Sequence, residues 1–275
     1  MRKVLRLFLF IIAVLPISFG ASVKADAMPF FALSPKELVL RAEFSTDYSK
    51  SSAERKHNIE LAVSSLNKTF IDANGEFSFN LTVGERSEKR GYKNAKIISK
   101  GEFTEGLGGG VCQVSTTVYN AFLLADLLIL EYHPHSLAVN YVEPSFDAMV
   151  SYGYADLKAK NATKNPMIIY ASANGNMVTV KVYGERKDYV IERRSKVTGS
   201  IPAPYNIVTN GENGEEYPTP PEGEKMIVRY GKNGVKSEGY LVKKKNGKVI
   251  WRKRIRKDAY SPIPFFVVLG TKTES

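Results

Sequence analysis

The stretch EGLGGGVCQVSTTVYNAFLL, residues 105–124, contains the only cysteine of the 275-residue chain. Three glycines, Gly108, Gly109 and Gly110, come directly before Val111 and Cys112. Consecutive glycines allow positive φ angles and close approach of the backbone to another group. From Val111 onward, apolar residues recur at helical spacing. We therefore predict a helix that runs from Val111 to about residue 128, with Cys112 in its first turn.

The first turn of a helix favours an anion, because its N–H groups are unpaired and the macrodipole is positive there. A thiolate is such an anion, so this position predicts a lowered thiol pKa. Helical spacing places Cys112, Ser115, Thr116 and Tyr119 on one polar face, opposite the valines. We interpret the glycine loop and this polar face as a binding site, with Gln113 as a further donor.

A nucleophilic cysteine requires a base, and the chain has three histidines. Two of them, His133 and His135, lie in the sequence HPHS about twenty residues after Cys112. Residues 135–142, HSLAVNYV, alternate in polarity and predict a strand. His135 is the preferred general base, since its ring would project to a fixed face. The residue that orients it stays open among Asp147, Asp156 and Glu131.

Two other interpretations compete with a nucleophilic site. His133 and His135, two residues apart on a strand, could bind zinc together with Cys112 and leave one coordination position open. Alternatively, Cys112 is a small packed residue and the histidines form backbone hydrogen bonds at the start of a strand. The residues alone leave these alternatives open, and we predict no cofactor.

Residues 1–27 have the pattern of a secretory signal peptide. Basic residues precede a short apolar run, and Ala25-Asp26-Ala27 resembles a cleavage site. We predict cleavage after Ala27, with an uncleaved anchor as the alternative. An exported chain with a single cysteine has no internal disulfide.

The formal net charge is +11. For an exported protein, this charge favours anionic wall polymers as partners, with at most peripheral membrane contact and no nucleic acid. Ten basic residues lie between positions 236 and 257, against one acidic residue. They predict a basic hairpin, which is either a polymer-binding surface or a solvated edge.

The remaining pattern predicts an α+β domain followed by a small all-β domain. Ser51 and Glu54 predict a capping box for a helix whose apolar face is Ile59, Ala62, Val63 and Leu66. Hairpins are predicted around Asn174-Gly175 and Asn246-Gly247, and short strands at residues 95–98, 148–152 and 265–269. The predicted boundaries are 1–27 for the signal peptide, 28–54 for an extension, 55–184 for the first domain and 185–275 for the basic all-β domain.

The sequences GEFSFN, GERSEKRGYKNA, GGGVCQVSTTVYNAFLLADLLILEYHPHS and DAMVSYGYADL resemble the VanW family over about residues 55–184. Phe122 and Asp126 depart from the pattern, where a smaller residue and a glycine are usual. Residues 185–272 resemble the glycine-containing all-β envelope module that often follows VanW domains. The resemblance implies an exported protein that works near peptidoglycan. Taken with the Cys/His pattern and the glycine loop, it leads us to expect either a Cys/His-dependent amide hydrolase or transferase that acts on peptidoglycan, or a non-catalytic wall-binding protein with a ligand cleft at the glycine loop. It also implies a shared site at the matching residues from Gly108 to Thr116 and at His133 and His135.

Overall fold

A computed structural model describes residues 38–99, 101–208, 217–218 and 220–270. The predicted signal peptide and the start of the predicted extension lie outside these ranges. The described chain is mostly β with few helices, and it ends in an all-β region. None of the helices in the described ranges is long and apolar enough to cross a bilayer.

The N-terminal part contains three α-helices and one 3-10 helix among short strands. Its elements are β1 (Val39–Asp47), α1 (Ala53–Leu66), β2 (Thr69–Ile71), β3 (Glu76–Ser78), α2 (Phe79–Val83), the 3-10 helix Glu88–Arg90, β4 (Asn94–Ser99), β5 (Glu102–Leu107), α3 (Val111–Ala125), β6 (Leu128–Glu131), β7 (Lys158–Lys160), β8 (Met167–Ala173) and β9 (Met177–Gly184).

The C-terminal part consists of strands alone in the residues that are described. They are β10 (Val190–Ile201), β11 (Tyr205–Val208), β12 (Lys225–Arg229), β13 (Gly234–Lys245), β14 (Lys248–Tyr260) and β15 (Phe265–Leu269). The chain from β10 onward forms two three-stranded sheets, in the orders β10-β13-β14 and β11-β15-β12. The hairpin predicted around Asn246-Gly247 joins β13 to β14.

The core of the N-terminal part lies between α1, α3 and the sheet β1-β9-β8-β2. The hairpin predicted around Asn174-Gly175 joins β8 to β9. Helix α1 buries the four apolar residues predicted for its face. Its N-cap is Ser52, whose hydroxyl accepts a hydrogen bond from the Arg55 N–H, so the cap predicted at Ser51 is wrong by one residue.

Helix α3 is buried on nearly all sides. Gly110 is its N-cap at φ 111°, and a Cβ there would lie 2.9 Å from Ile59. The helix ends at Ala125, three residues before the predicted end, because Asp126 adopts the left-handed conformation at φ 67° and β6 follows. Because α3 is buried, its predicted polar residues Ser115, Thr116 and Tyr119 are covered by other residues of the fold.

Most of residues 132–157 is irregular, and this segment, called the strap below, lies across α3. The strands predicted at residues 135–142 and 148–152 are wrong; only the isolated bridge between Ser151 and Ala155 forms there. Several backbone groups of the strap are bound by side chains of α3. The Ala148 N–H donates to the Thr116 hydroxyl, and the Ala148 carbonyl accepts from Ser115.

The C-terminal sheet packs on the strap. The hydroxyls of Ser145 and Ser237 lie 2.7 Å apart, and the Ser261 N–H donates to the Ser136 carbonyl at 2.7 Å. The backbone passes closely at Gly239, where a Cβ would lie 2.9 Å from the Ser145 carbonyl oxygen. The strap is therefore enclosed between α3 and the β10-β13-β14 sheet.

Candidate active site

The glycine turn places Cys112 in the first turn of α3. Gly109 carries its backbone so close to β4 that a Cβ would lie 2.6 Å from the Ala95 carbonyl oxygen, which explains the need for glycine. The Val111 and Gln113 N–H groups donate to the Gly108 and Gly110 carbonyls. The Cys112 N–H lies between them in the first turn of α3. An N–H group beside the thiol can stabilise a developing negative charge.

Three predicted candidates meet at this turn: Cys112, His135 and Asp147. The His135 ring Nδ1 lies 2.7 Å from Asp147 Oδ2, and the His135 N–H donates to the same oxygen at 2.7 Å. The His135 ring lies close enough to the Cys112 thiol for the two groups to interact electrostatically. The Cys112 thiol also donates to the Val150 carbonyl at 3.4 Å, and the residue is partly exposed. The three residues thus form a Cys-His-Asp arrangement.

The surroundings favour the ionised forms of all three groups. Burial alone would raise the pKa of the Cys112 thiol, but the neighbouring His135 ring and its charge lower it. Burial alone would lower the pKa of His135, but its hydrogen bond to Asp147 and the neighbouring Cys112 thiol raise it to about 9. Burial would raise the pKa of Asp147, whereas His135 and the charge of Arg256 bring it to about 2. The arrangement therefore favours a thiolate beside an imidazolium.

Two side chains from β14 complete the surroundings of Asp147. The Tyr260 hydroxyl donates to Asp147 Oδ1 at 2.5 Å and accepts from the Ser145 N–H. The Arg256 guanidinium donates to Oδ1 at 3.2 Å and to the Asp147 carbonyl. Arg256 also binds Asp258 at 3.0 Å and lies over the ring of Tyr132. Each carboxylate oxygen of Asp147 is thus bound, one by His135 and the other by β14.

The polar residues of α3 hold the strap in place. Ser115 and Thr116 are fully buried and bind the backbone of Ala148. Asn120 donates to the Phe146 carbonyl at 2.8 Å. Tyr119 is also buried and stacks on Tyr132. These predicted binding residues lie beneath the strap that carries His135 and Asp147, and not on an open surface.

Gln113 is directed away from the thiol. Its amide nitrogen donates to the Asp47 carbonyl at 2.8 Å and to the Thr46 hydroxyl at 3.2 Å. Its amide oxygen accepts from Arg55 at 3.0 Å. Both ends of the side chain are engaged with β1 and α1, so the suggestion that Gln113 donates to an oxyanion at Cys112 is wrong for this conformation.

Sequence reasoning missed a cation close to the thiol. Arg86 packs beside the glycine turn, where its Cγ would lie 2.8 Å from a Cβ on Gly108. One of its terminal nitrogens donates to Asn80 Oδ1 at 2.8 Å and to the Gly84 carbonyl. The other is buried with no hydrogen-bond partner among the described residues, as is the Tyr92 hydroxyl. The charge of Arg86 favours the thiolate of Cys112.

The other candidates are engaged elsewhere. His133 lies 3.0 Å from Glu131, which also binds Lys158. Asp156 accepts from Ser78 and from the Asn80 and Leu157 N–H groups. In the described ranges, no three His, Cys, Asp or Glu residues form a group that could hold a metal. The alternative of a zinc site at Cys112, His133 and His135 has no such group in the described residues, because the predicted strand that would have aligned the two histidines does not form there.

Two family models match the chain in sequence order. The model for VanW like protein matches residues 54–183, and the model for the G5 domain matches residues 195–272. The chain is similar to solved structures of HP0197-G5, at 18% identity and TM-score 0.19, and of the IgA1 protease G5 domain, at 22% identity and TM-score 0.20. These similarities cover 30% and 33% of this chain and the whole of each solved chain.

Two curated relatives extend the comparison. The uncharacterized protein YoaR of Bacillus subtilis (strain 168) is 36% identical over 174 residues, which are 63% of this chain and 56% of the relative. The vancomycin B-type resistance protein VanW of Enterococcus faecalis (strain ATCC 700802 / V583) is 29% identical over 175 residues, covering 52% of this chain and 63% of the relative. The chain thus spans somewhat more than half the length of each relative. It carries a VanW-like domain followed by a G5 domain, and it is homologous to YoaR and to VanW.

Proposed function

We propose that this chain is a cell-envelope protein whose VanW-like domain cleaves or transfers peptide amide bonds of peptidoglycan. In this proposal Cys112 is the nucleophile, His135 the general acid and base, and Asp147 the residue that orients His135. The observation that carries it is the grouping of the three side chains at the glycine turn: Nδ1 of His135 lies 2.7 Å from Asp147, and the His135 ring interacts electrostatically with the Cys112 thiol. A nucleophile, a base and a group that orients the base are the minimum set for acyl transfer.

The chemistry follows the protonation states. The Cys112 thiolate attacks the carbonyl carbon of an amide, and the oxygen gains the negative charge beside the Cys112 N–H. The intermediate collapses with cleavage of the C–N bond, and the imidazolium of His135 protonates the leaving amine. Neutral His135 then takes a proton from water or from an acceptor amine, which attacks the thioester. The C–S bond of the thioester then breaks, which regenerates the Cys112 thiolate beside the His135 imidazolium, and the product is a free acid or a new amide.

The choice of peptidoglycan as substrate is supported by the two domains of the chain and by the name of one relative. A VanW-like domain together with a G5 domain supports a location in the envelope. The resistance in the name of the E. faecalis relative supports work near the cell wall. An amide is the substrate class that suits a thiolate beside an imidazolium, because its poor leaving group requires protonation as it departs.

Turnover of purified muropeptides tests the proposal. Loss of substrate and release of free amines are followed by mass spectrometry for the intact chain, for Cys112→Ser and for His135→Gln. Both variants should lose at least ~100-fold in rate, the scale of a removed general base or nucleophile. His57→Gln is the matched control, since His57 is bound to the Gly91 carbonyl outside the site. Undiminished turnover in Cys112→Ser, or in His135→Gln, would overturn the mechanism.

A second candidate function, non-catalytic binding to wall polymers, is favoured by the surface of β14. This strand is an edge of its sheet, and its residues from Lys248 to Arg254 are all exposed. Val249, Ile250 and Trp251 lie among the basic residues of this stretch. A cationic edge with an aromatic side chain suits an anionic polymer, by charge and by contact.

Binding to purified sacculi tests this second function. Lys248→Glu combined with Lys253→Glu should weaken sedimentation with sacculi, and added salt should weaken the binding of the unchanged chain, because exposed charges are screened. The pair Lys50→Glu and Lys89→Glu makes the same change in net charge on exposed residues of the N-terminal domain. If both double variants lose sacculus binding equally, the binding depends on net charge alone and β14 is not a specific binding surface.

A further inference from the structure

The C-terminal domain reaches into the site that the VanW-like domain carries. Asp147 is 1% exposed and Arg256 is 3% exposed, so their contact is shielded from water. Arg256 lies 109 residues after Asp147, and Tyr260 lies 113 residues after it. The second domain thus supplies two of the three side chains that bind the Asp147 carboxylate, and the third is His135.

We propose that Arg256 and Tyr260 are positioning residues of the Cys-His-Asp site, so that the active site is shared between the two domains. The inference rests on the proposed function. Asp147 must direct Oδ2 at the backbone N–H and at ring Nδ1 of His135. This requires that Oδ1 be fixed on the opposite side. The Tyr260 hydroxyl fixes it at 2.5 Å and Arg256 at 3.2 Å.

The same two residues also fix the backbone around Asp147. Arg256 donates to the Asp147 carbonyl, and Tyr260 accepts from the N–H of Ser145, which has a positive φ of 67°. A non-glycine residue rarely adopts this conformation without support from its surroundings. The contacts from β14 therefore hold both the side chain and the local turn that direct Asp147 to His135.

The electrostatic role of Arg256 is to keep Asp147 ionised. A buried carboxylate without a cation takes up a proton readily, because burial disfavours its charge. The groups that face Asp147 are His135 from the strap, Arg256 and Tyr260 from β14 and, more distantly, Tyr119 from α3 and Tyr141 from the strap. Of these, only Arg256 and protonated His135 carry positive charge, so loss of Arg256 leaves the carboxylate dependent on His135.

The test uses the single cysteine of the full chain as a reporter. The ultraviolet absorbance of the thiolate is measured against pH, with Cys112→Ser as the blank, so that every change comes from Cys112. The variants are Arg256→Met, Arg256→Lys and Tyr260→Phe. The matched control is Arg254→Met, which removes an exposed arginine from the same strand that pairs with Glu238 at 2.6 Å.

In Arg256→Met we expect the pH at which half of Cys112 is thiolate to rise by about one unit, which is a tenfold change in the protonation equilibrium. Tyr260→Phe should move it in the same direction by less, Arg256→Lys should restore most of the loss, and Arg254→Met should match the unchanged chain. Muropeptide turnover should fall in the same order. An unchanged profile in both Arg256→Met and Tyr260→Phe would overturn the inference, and so would an equal shift in Arg254→Met.

The outcomes separate this inference from the proposed function. If the unchanged chain shows no thiolate at neutral pH, the Cys-His mechanism itself fails. If it shows a thiolate that Arg256→Met and Tyr260→Phe leave unaltered, the mechanism stands and the shared site is wrong. If Arg256→Met does not fold, as seen by circular dichroism, Tyr260→Phe decides the question, because it removes one hydroxyl and keeps the ring.

Discussion

At the scale of single residues, the charge of His135 links the site to the stability of the protein. Its pKa in the folded chain is raised to about 9 from an ordinary 6.5. A raised pKa contributes stability that is fully present below the unfolded pKa and is lost as pH rises through about 9. The contribution is on the order of 3–4 kcal/mol at most, since the two pKa values differ by about 2.5 and a difference of one corresponds to about 1.4 kcal/mol.

We therefore expect the stability advantage of the unchanged chain over His135→Gln to shrink between about pH 7 and about pH 10. Urea unfolding across that range measures it. His57→Gln, which alters an exposed histidine, should show no such trend. A constant difference between the unchanged chain and His135→Gln would mean that His135 is neutral in the folded state.

Arg86 is a second residue whose charge can be tested alone. It lowers the pKa of Cys112 by its positive charge and has no ion pair among the described residues. Arg86→Met should raise the pKa of the thiol, so that alkylation by iodoacetamide at about pH 6 slows several-fold. Arg90→Met removes an exposed arginine four residues away and should leave the rate nearly unchanged. Equal slowing in both variants would contradict a local effect of Arg86.

The sequence predicted Cys112 and His135 better than the residues that hold them in position. Cys112 could be chosen because it follows three glycines at the start of a helix, and His135 because it lies about twenty residues later, after that helix. Asp147 was one of three acids, and only the folded strap distinguishes it from Asp156 and Glu131. Arg256 carried no signal, because a basic residue in a basic hairpin looks like any other solvated lysine or arginine. That Cys112, His135 and Asp147 are catalytic stays a prediction.

At the scale of elements, α3 acts on the strap through hydroxyl groups. Thr116→Val removes the acceptor for the Ala148 N–H and leaves that buried group unpaired, which should cost about 1–3 kcal/mol. The displacement of the strap should also raise the pKa of the Cys112 thiol. Thermal unfolding and the thiolate profile measure the two effects.

Thr117→Val is the comparison for that experiment. Thr117 is the next residue of α3, equally buried, and its hydroxyl binds the Gln113 carbonyl and Thr46 instead of the strap. It should destabilise the fold and leave the thiolate profile unaltered. If both variants shift the profile alike, the effect comes from general loosening of α3 and the role assigned to Thr116 is wrong.

Elements with local signals were predicted well, and the strap was not. The hairpins around Asn174-Gly175 and Asn246-Gly247 form because a turn sequence joins two strand-like runs. The alternation in residues 135–142 suggested a strand, but no partner strand lies beside it. Its backbone binds side chains that come from α3 and Asp147, and such long-range partners leave no periodicity in the local sequence.

At the scale of the whole molecule, Asp126 joins the two domains. It lies where the VanW pattern usually has glycine, which agrees with its positive φ of 67°. Its carboxylate accepts hydrogen bonds from Tyr189 and from Lys243 at 2.9 Å, both in the C-terminal part. This departure from the pattern is therefore an electrostatic link between the domains.

Asp126→Asn keeps a residue that tolerates positive φ and removes the charge. We expect a loss of about 1 kcal/mol or less, because Asp126 and Lys243 are both partly exposed. The loss should diminish in high salt, as measured by urea unfolding. Asp188→Asn removes a more exposed partner of Lys245 and should change stability less. A greater effect in Asp188→Asn would contradict the assignment of Asp126 as the stronger link.

The hydrogen bonds from β14 to Asp147 form late in synthesis, because Arg256 and Tyr260 lie more than 100 residues after Asp147. A chain emerges from its N-terminal end, and domains generally fold as units in that order. Cys112, His135 and Asp147 therefore exist as a partial site before Arg256 and Tyr260 have been synthesised. The last hairpin closes around Asp147 only at the end, so a newly made chain holds its thiol without the full set of partners until the second domain has docked.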